Sequence, residues 1–486
     1  MPLQAANPSL PPSRRRCLAP LSWALAAALS GCTTLAPQNA ALPEAPVPDA
    51  WSTGAANPYA LYPPVAAASL AQWWDRFNDP QLTALINLAL QANTDVRSAQ
   101  AALLQARALR DVRSASLLPA VGTSASARRS QADSNNPGNS FQAGFDASWE
   151  PDVFGGNRSA LNAAAADAQA AEASLANVQV SIAAEVAVTY IELRGLQARL
   201  AIARSNLAAQ QETLQLSRWR AQAGLVSSLD VEQAVAASEQ TSAQIPLLQT
   251  SAAQALSSLA VLSGQAPGAL QATLAMPAAV PQAPADLALA LPASTLRQRP
   301  DVRAAERRIS AALARVAQAD AARYPGFQLG GSLGLNALTL GTLTSGASVV
   351  RSLLASVSVP LFDGGAARAQ VRAQEAALEQ ARVAYQGTVL TALKDVEDAL
   401  VSLQGNRERL ARLQAAAEAA GNADLLAGQR YASGLIDFRS VLETQRTLLS
   451  TQDSVESTRA SLSADHVRLY KALGGGWTPA VDAAAP

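Results

Sequence analysis

The sequence writes one long pattern twice. Asp95-Val96-Arg97 returns as Asp301-Val302-Arg303 and Pro119 as Pro325, each 206 residues on. Gly155-Gly156 returns as Gly364-Gly365 at a spacing of 209, and Gly224-Leu225 as Gly434-Leu435 at 210. Chance gives one such match; an ordered series with slowly drifting spacing indicates duplication. Whatever one copy forms, the other must form again. The Pro-rich stretch 267–294 separates a first copy at 70–266 from a second at 295–475, with a short tail at 476–486.

Each copy runs through the same elements. A helix of about 22 residues is predicted from Asp95 to Leu117 and again from Asp301 to Arg323, each followed by a proline that cannot continue it. Alternating stretches follow at about 120–129 and 140–151, and then at about 326–336 and 351–361. Val121, Thr123, Ala125 and Ala127 share one side, while Gly122, Ser124, Ser126 and Arg128 share the other. Period two with one apolar side marks a strand between two environments. A half-buried soluble sheet alternates in the same way, but about ten residues also suit a strand crossing an outer membrane.

Residues 157–222 and 366–432 contain no proline, which predicts helices of about 65 residues, roughly 100 Å long at 1.5 Å per residue. Val371, Leu378 and Tyr385 step by seven, and Val389, Leu393, Val396, Leu400 and Leu403 by threes and fours, as a coiled-coil seam does. Return helices are predicted over 230–263 and 440–473. A return helix plus a 22-residue helix roughly equals one long helix, so the shorter two should stack end to end beside it.

The turns between long and return helices are the most informative short stretches. In RAQAGLVSSLDVEQ and RYASGLIDFRSVLETQ, Gly224 and Gly434 suit the left-handed residue that ends a helix. Ser227 and Asp437 suit the next N-caps, and Asp230 completes a capping box with Ser227. That geometry does not require Leu225, Val226, Leu435 or Ile436. Left in water, such a cluster points to a partner surface.

At the N-terminus, Arg14, Arg15 and Arg16 precede the short apolar stretch 18–31, the layout of an export signal. Leu29-Ser30-Gly31-Cys32 resembles the lipobox of bacterial lipoproteins. That makes 1–31 a signal peptide, Cys32 the lipidated first residue and 32–69 a Pro-rich tether. Cleavage would leave 34 basic and 37 acidic side chains, net −3, and no free thiol for disulfides or thiolate chemistry. A chain so near neutrality has no electrostatic case for nucleic acid. No other stretch reaches 18 uninterrupted apolar residues, so no membrane-spanning helix is expected.

Four strands cannot close a barrel, and lipid does not tolerate open edges. Two chains give eight strands, whose interior side chains fill it; three give twelve and leave a lumen. The expected fold class is mainly α with a membrane β-barrel. Long antiparallel helical hairpins would accompany four strands per chain in a twelve-stranded barrel shared by a homotrimer.

Trp73-Trp74-Asp75-Arg76-Phe77, RQRPDVRAAERR (297–308), SVSVPLFDGG (356–365), the lipobox and both Gly-Leu turns carry a family resemblance. As an ordered set they resemble the TolC-type outer membrane efflux factors, in their lipoprotein branch, over nearly the whole mature chain. The resemblance implies an outer-membrane barrel continued by a periplasmic helical tunnel, a passive exit duct for drugs or other small molecules. It implies two partners besides the other copies: a periplasmic membrane-fusion adaptor and an inner-membrane pump, usually the proton-driven RND type. The adaptor would dock at Gly224, Leu225, Val226 and Ser227 and at Gly434, Leu435, Ile436 and Asp437. Protein secretion or metal export is the alternative use of this architecture. A trimeric coiled-coil adhesin would explain the helices but not the duplicated strand pairs.

Nothing points to catalysis, a cofactor or a metal. His466 is the one histidine, no Cys/His cluster offers ligands, and no Lys-Ser/Thr pair follows Gly474-Gly475-Gly476 as in a phosphate loop. Asp395, Glu397 and Asp398 lie on a charged helix face and are expected to be solvated. In the resembled family, charged networks and acidic rings near the periplasmic tip constrict the tunnel, which makes Asp230, Arg430 and Glu443 candidate gate residues. Gln233 is the first-copy equivalent of Glu443, and Ser440 holds another site that is acidic in some members, so any ring would be lopsided.

Overall fold

The computed structural model describes residues 47–48, 51, 70–130, 138–284, 296 and 298–477. The export signal, Cys32 and nearly all of the tether lie outside the described residues. In chain order the main elements are α1 (Pro80–Ala92), α2 (Thr94–Ala115), β1 (Ala120–Ser130), β2 (Gly138–Trp149), α3 (Gly156–Gln222) and α4 (Ser228–Leu262). The second copy follows with α5 (Pro300–Ala321), β3 (Gly326–Ala337), β4 (Val349–Ser358), α6 (Ala366–Ala432) and α7 (Phe438–Ala472). The chain divides into two units.

One unit, with described residues drawn from 111–163 and 312–378, is built on the strands. They form one antiparallel sheet in the order β1-β2-β3-β4. The two copies meet where β2 pairs with β3, and there Gly144 stands opposite Gly334. A Cβ on Gly144 would lie 2.8 Å from the Gly334 Cα, and one on Gly334 would lie 2.7 Å from the Ala143 carbonyl oxygen. Only glycine permits this approach. At the helix-bearing end of the sheet, the Asp152 carboxylate accepts from the Asn157 and Arg158 amides at 3.0 and 2.8 Å, opening α3. Asp363 opens α6 in the same way, accepting from Gly365 and Ala367 at 2.8 Å each.

The other unit holds described residues from 41–110, 164–311 and 379–477 and is helical. Its main core gathers Trp73 and Phe77 with Ile86 of α1, Tyr190 of α3, Leu259 of α4, Leu403 of α6 and Val467 of α7. Trp73 stacks on Tyr470 with ring centroids 5.5 Å apart. The coiled-coil seam of α6 is the side that packs: Leu378, Val389, Val396, Leu400 and Leu403 are buried, and Val371, Tyr385 and Leu393 are half-buried. α3 and α4 are, by length and average composition, apolar enough to cross a membrane, contrary to the expectation of none. Their apolarity is spread through alanine rather than gathered in one run, and half of the most apolar window of α3 is buried inside the fold. In α3, alanine serves close helix packing.

The shorter helices stack end to end in both copies, by different means. Asn93 Oδ1 accepts from the Asp95 and Val96 amides at 2.8 and 3.2 Å, capping α2. Its Nδ2 donates to the carbonyl of Leu262, the last residue of α4, at 2.9 Å. In the second copy Arg299 takes this place: Nη1 donates to the carbonyl of Ala472 at the end of α7 at 3.0 Å. Its other nitrogens hold Asp301 at 3.0 and 2.8 Å and reach Asp395 of α6 at 3.1 Å. Asp395, expected from sequence to be solvated, is partly exposed but also binds this buried arginine. Burial pulls the Arg299 pKa down, but bonds and charge from Asp301 and Asp395 outweigh burial and raise it. Asp398 does lie on the exposed face, paired with Lys394 at 2.6 Å.

Candidate functional site

Both hairpin turns close with the same hydrogen bonds. The Leu225 amide donates to the Arg220 carbonyl at 2.8 Å and Gly224 to Ala221 at 3.0 Å. Leu435 donates to Arg430 and Gly434 to Tyr431 at the same two distances. This is the Schellman arrangement, and it needs a left-handed residue; φ is 72° at Gly224 and at Gly434. The next helices are capped where the sequence predicted. Ser227 and Asp230 form a reciprocal capping box, and the Asp437 carboxylate accepts from the Ser440 amide at 3.1 Å.

Leu225 and Leu435 stand in solvent at 74% and 73% exposure. Val226 and Ile436 do not share that exposure; both are half-buried. Ile436 folds back onto a small core of Leu214, Ala237, Ala427, Tyr431 and Phe438 that joins the two hairpins. In each turn the leucine faces outward, and in the second Ile436 anchors it.

The three candidate gate residues are not brought together. Asp230 serves its own cap through Oδ2, which accepts from the Ser227 amide at 3.0 Å and the Ser227 hydroxyl at 2.9 Å. Arg430 and Glu443 are exposed. A residue not singled out from sequence does more here. Arg220 of α3 lies over the Tyr431 ring at 4.5 Å and donates to the Tyr431 and Ala432 carbonyls at 3.2 Å each. It thereby closes the C-terminus of the other copy's long helix. The signal that could have found it is the repeat itself, since Arg220 and Arg430 are equivalent at the spacing of 210.

His466 is buried in α7 with Nδ1 at 2.9 Å from the Leu462 carbonyl. Burial, the largest cause, holds its pKa below the ordinary histidine value. Buried polar contacts also fix the linker to α3. Arg194 donates to the Met276 carbonyl at 2.8 Å and to Gln197 at 2.7 Å, and its guanidinium lies 4.9 Å from the Tyr190 ring centre. Tyr190 in turn donates to Asp79 at 2.8 Å, and burial pushes its phenol up to about 12.

The sheet sorts its residues onto two faces, because paired residues share a side. Phe145 stands opposite Thr123 and Leu333, and Trp149 opposite Leu329, giving an apolar face. The other face is mostly small and polar, with Val350 and Leu354 as its large apolar residues: Gly122, Asp146, Ser332 and Ser352 form one cross-strand row. Its formal charges among the described strand residues are Arg128 and Asp146, and Asp146 accepts from the Ser124 hydroxyl at 2.9 Å.

A four-stranded sheet fed by helices of about 100 Å has known counterparts. The family model described as outer membrane efflux protein matches residues 85–265 and 291–475, one match per copy. The toluene efflux pump outer membrane protein TtgF of Pseudomonas putida is 33% identical over 477 residues, covering 94% of this chain and 96% of that protein. The outer-membrane channel OprN superposes with a TM-score of 0.82 at 36% identity, over 90% of this chain and 99% of that one. The open state of the MtrE outer membrane channel of Neisseria gonorrhoeae gives 0.81 at 26% identity, over 91% and 98%. Matched at this length in sequence and at this closeness in fold, the chain belongs to the outer membrane efflux protein family, whose members are the outer-membrane components of efflux pumps.

Proposed function

We propose that three copies of this chain close one twelve-stranded barrel and act as the exit duct of a tripartite efflux assembly. The observation that supports this most directly is the sheet itself: β1 and β4 are unpaired edges of a surface with one apolar face. Backbone groups left open in lipid cost several kcal/mol each. Three-fold closure removes every edge and turns the face of Ser124, Ser332 and Ser352 toward a lumen. Uncovered leucines and valines on α2 support the same closure, with Leu104, Leu109 and Val112 at 66%, 56% and 61% exposure. The test is the mass of the detergent-extracted protein together with conductance in planar bilayers. A three-chain mass with ion passage is expected; single chains that conduct nothing overturn the reading.

The partners follow from the turns. Six outward leucines, Leu225 and Leu435 from each copy, suit hairpins of a periplasmic adaptor, which in turn holds an inner-membrane pump of the proton-driven type. Cargo in the class of the toluene named for TtgF, small and apolar, fits a passive lumen with few fixed charges. Leu225→Asp combined with Leu435→Asp should abolish adaptor binding and efflux while leaving the trimer intact; normal binding and efflux refute this docking. Of the acidic candidates Asp230 also serves a cap, and three copies of the exposed Glu443 form the cation-selective constriction. Unchanged conductance and selectivity in Glu443→Gln count against that role.

A further inference from the structure

The apolar face of the sheet carries two formal charges among the described strand residues, and both are positive. Arg129 lies on β1 opposite Asn139, and Arg351 lies on β4 opposite Leu333. Both are exposed, and neither has a hydrogen-bonding or ion-pairing partner among the described residues. Arginine on a lipid-facing barrel surface is costly at mid-membrane and nearly free at the headgroups. Arg129 is the second-last residue of β1 and Arg351 the third of β4. Both therefore sit toward the end carrying the hairpin loops, away from the end where the helices leave. Since the helices are periplasmic, the arginines belong to the outer leaflet.

The register brings the two together across a seam. Followed through β3 and β2, Arg351 shares a row with Thr123 of its own β1. β4 as a whole lies opposite the lower part of β1 and the residues preceding it, so its ten residues can pair fully with the next copy's β1 only after a slide of about four or five residues. An odd slide would swap the two faces. The even slide, four, puts Arg351 across from Ala127 of the neighbouring copy, with Arg129 the next residue on the same face, about 7–8 Å away on the diagonal and close enough for both long side chains to reach one point. Two like charges set side by side on an apolar wall call for an anion between them, and the guanidinium fork matches phosphate.

We propose that Arg129 of one copy and Arg351 of the next form a clamp for the phosphate of an anionic glycolipid of the outer leaflet, one clamp per seam. This inference rests on the three-copy closure proposed above. The experiment titrates the full-length protein, in uncharged detergent, with bisphosphorylated lipid A, with its dephosphorylated counterpart and with inorganic phosphate, and reads binding by native mass spectrometry. Wild type is expected to bind the bisphosphorylated lipid at least tenfold more tightly than the dephosphorylated one. R129Q/R351Q should lose at least tenfold, R129K/R351K should keep most of the binding, and R128Q, on the opposite face, should match wild type. Equal affinity of R129Q/R351Q and wild type, or of the two lipids, overturns the clamp, as does saturation by inorganic phosphate at the same concentration as lipid. The same spectra report chain number. Single chains remove the closure and the clamp with it, whereas three-chain assemblies indifferent to lipid phosphate remove the clamp alone.

Discussion

Asn93 and Arg299 occupy equivalent places in the two copies and join the same pair of helix ends with different chemistry. Asn93 is neutral, and its bonds stay within the joint, capping α2 and holding the last carbonyl of α4. Arg299 makes the equivalent bond to α7, but its charge also ties in Asp301 and reaches across to Asp395 on the long helix α6. The turns repeat the lesson. Arg220 braces the opposite hairpin while its equivalent, Arg430, stands exposed. Duplication has preserved backbone geometry and left the polar chemistry that stabilises it to diverge.

The largest expected break is at the charged joint. Arg299→Ala strands two carboxylates beside a helix end and should cost about 3 kcal/mol, discounted from a fully buried pair because both carboxylates are partly exposed. Hydrogen exchange at the start of α5 measures it, and a loss no greater than that of Asn93→Ala would erase the contrast. Next comes the pair Arg220→Ala and Arg430→Ala. The first should speed exchange at the end of α6 by about 1.5 kcal/mol, through lost charged hydrogen bonds and the ring contact; the second should change it by less than about 0.5 kcal/mol. Equal effects would mean the brace is ornamental. Asn93→Ala should cost about 1 kcal/mol, the scale of a lost helix cap, confined to α2 and the end of α4.

The smallest contrast is one of pH. The Ser440 hydroxyl, and then its amide, hold the Asp437 carboxyl below its ordinary pKa. The stability from that cap is complete above the unfolded-state value and is lost as pH falls through the lower folded one. The Ser440 amide should therefore lose protection in strongly acidic solution. The Asp230 amide, capped by the Ser227 hydroxyl, keeps an acceptor that does not titrate. Matching losses in the two turns, or no rescue in Asp437→Asn, would count against this difference.

What could be read from sequence was whatever local chemistry punctuates. Prolines, glycine pairs and caps located α6 at 366–432 and brought α7 within two residues of its start at Phe438. β4 starts two residues earlier than alternation suggested, at Val349, and stops at Ser358, since Pro360 has no amide to give a ladder. The contacts that were not legible are those between helices far apart in the chain. The bond between Arg299 and Asp395 spans 96 residues, and that between Arg220 and Tyr431 spans 211. Periodicity says which side of a helix packs, not which charged end will find a partner. Asp230 shows the converse: the pattern that marked it as a cap was sufficient, and the cap engages one of its two carboxylate oxygens. At Ile436, one position of phase along the turn separated an anchor from the exposed Leu435.

The contact between Gly144 and Gly334 also constrains how this chain can change. Each glycine belongs to a different copy, and each leaves no room for even a methyl group on the other strand. Elsewhere the copies have drifted apart independently, as Asn93 and Arg299 show. Here a substitution in one copy is rejected by the other, and no second substitution can compensate, since anything larger than hydrogen on either side worsens the clash. The join made when the gene doubled is thus the place on the sheet where the two halves still share one fate.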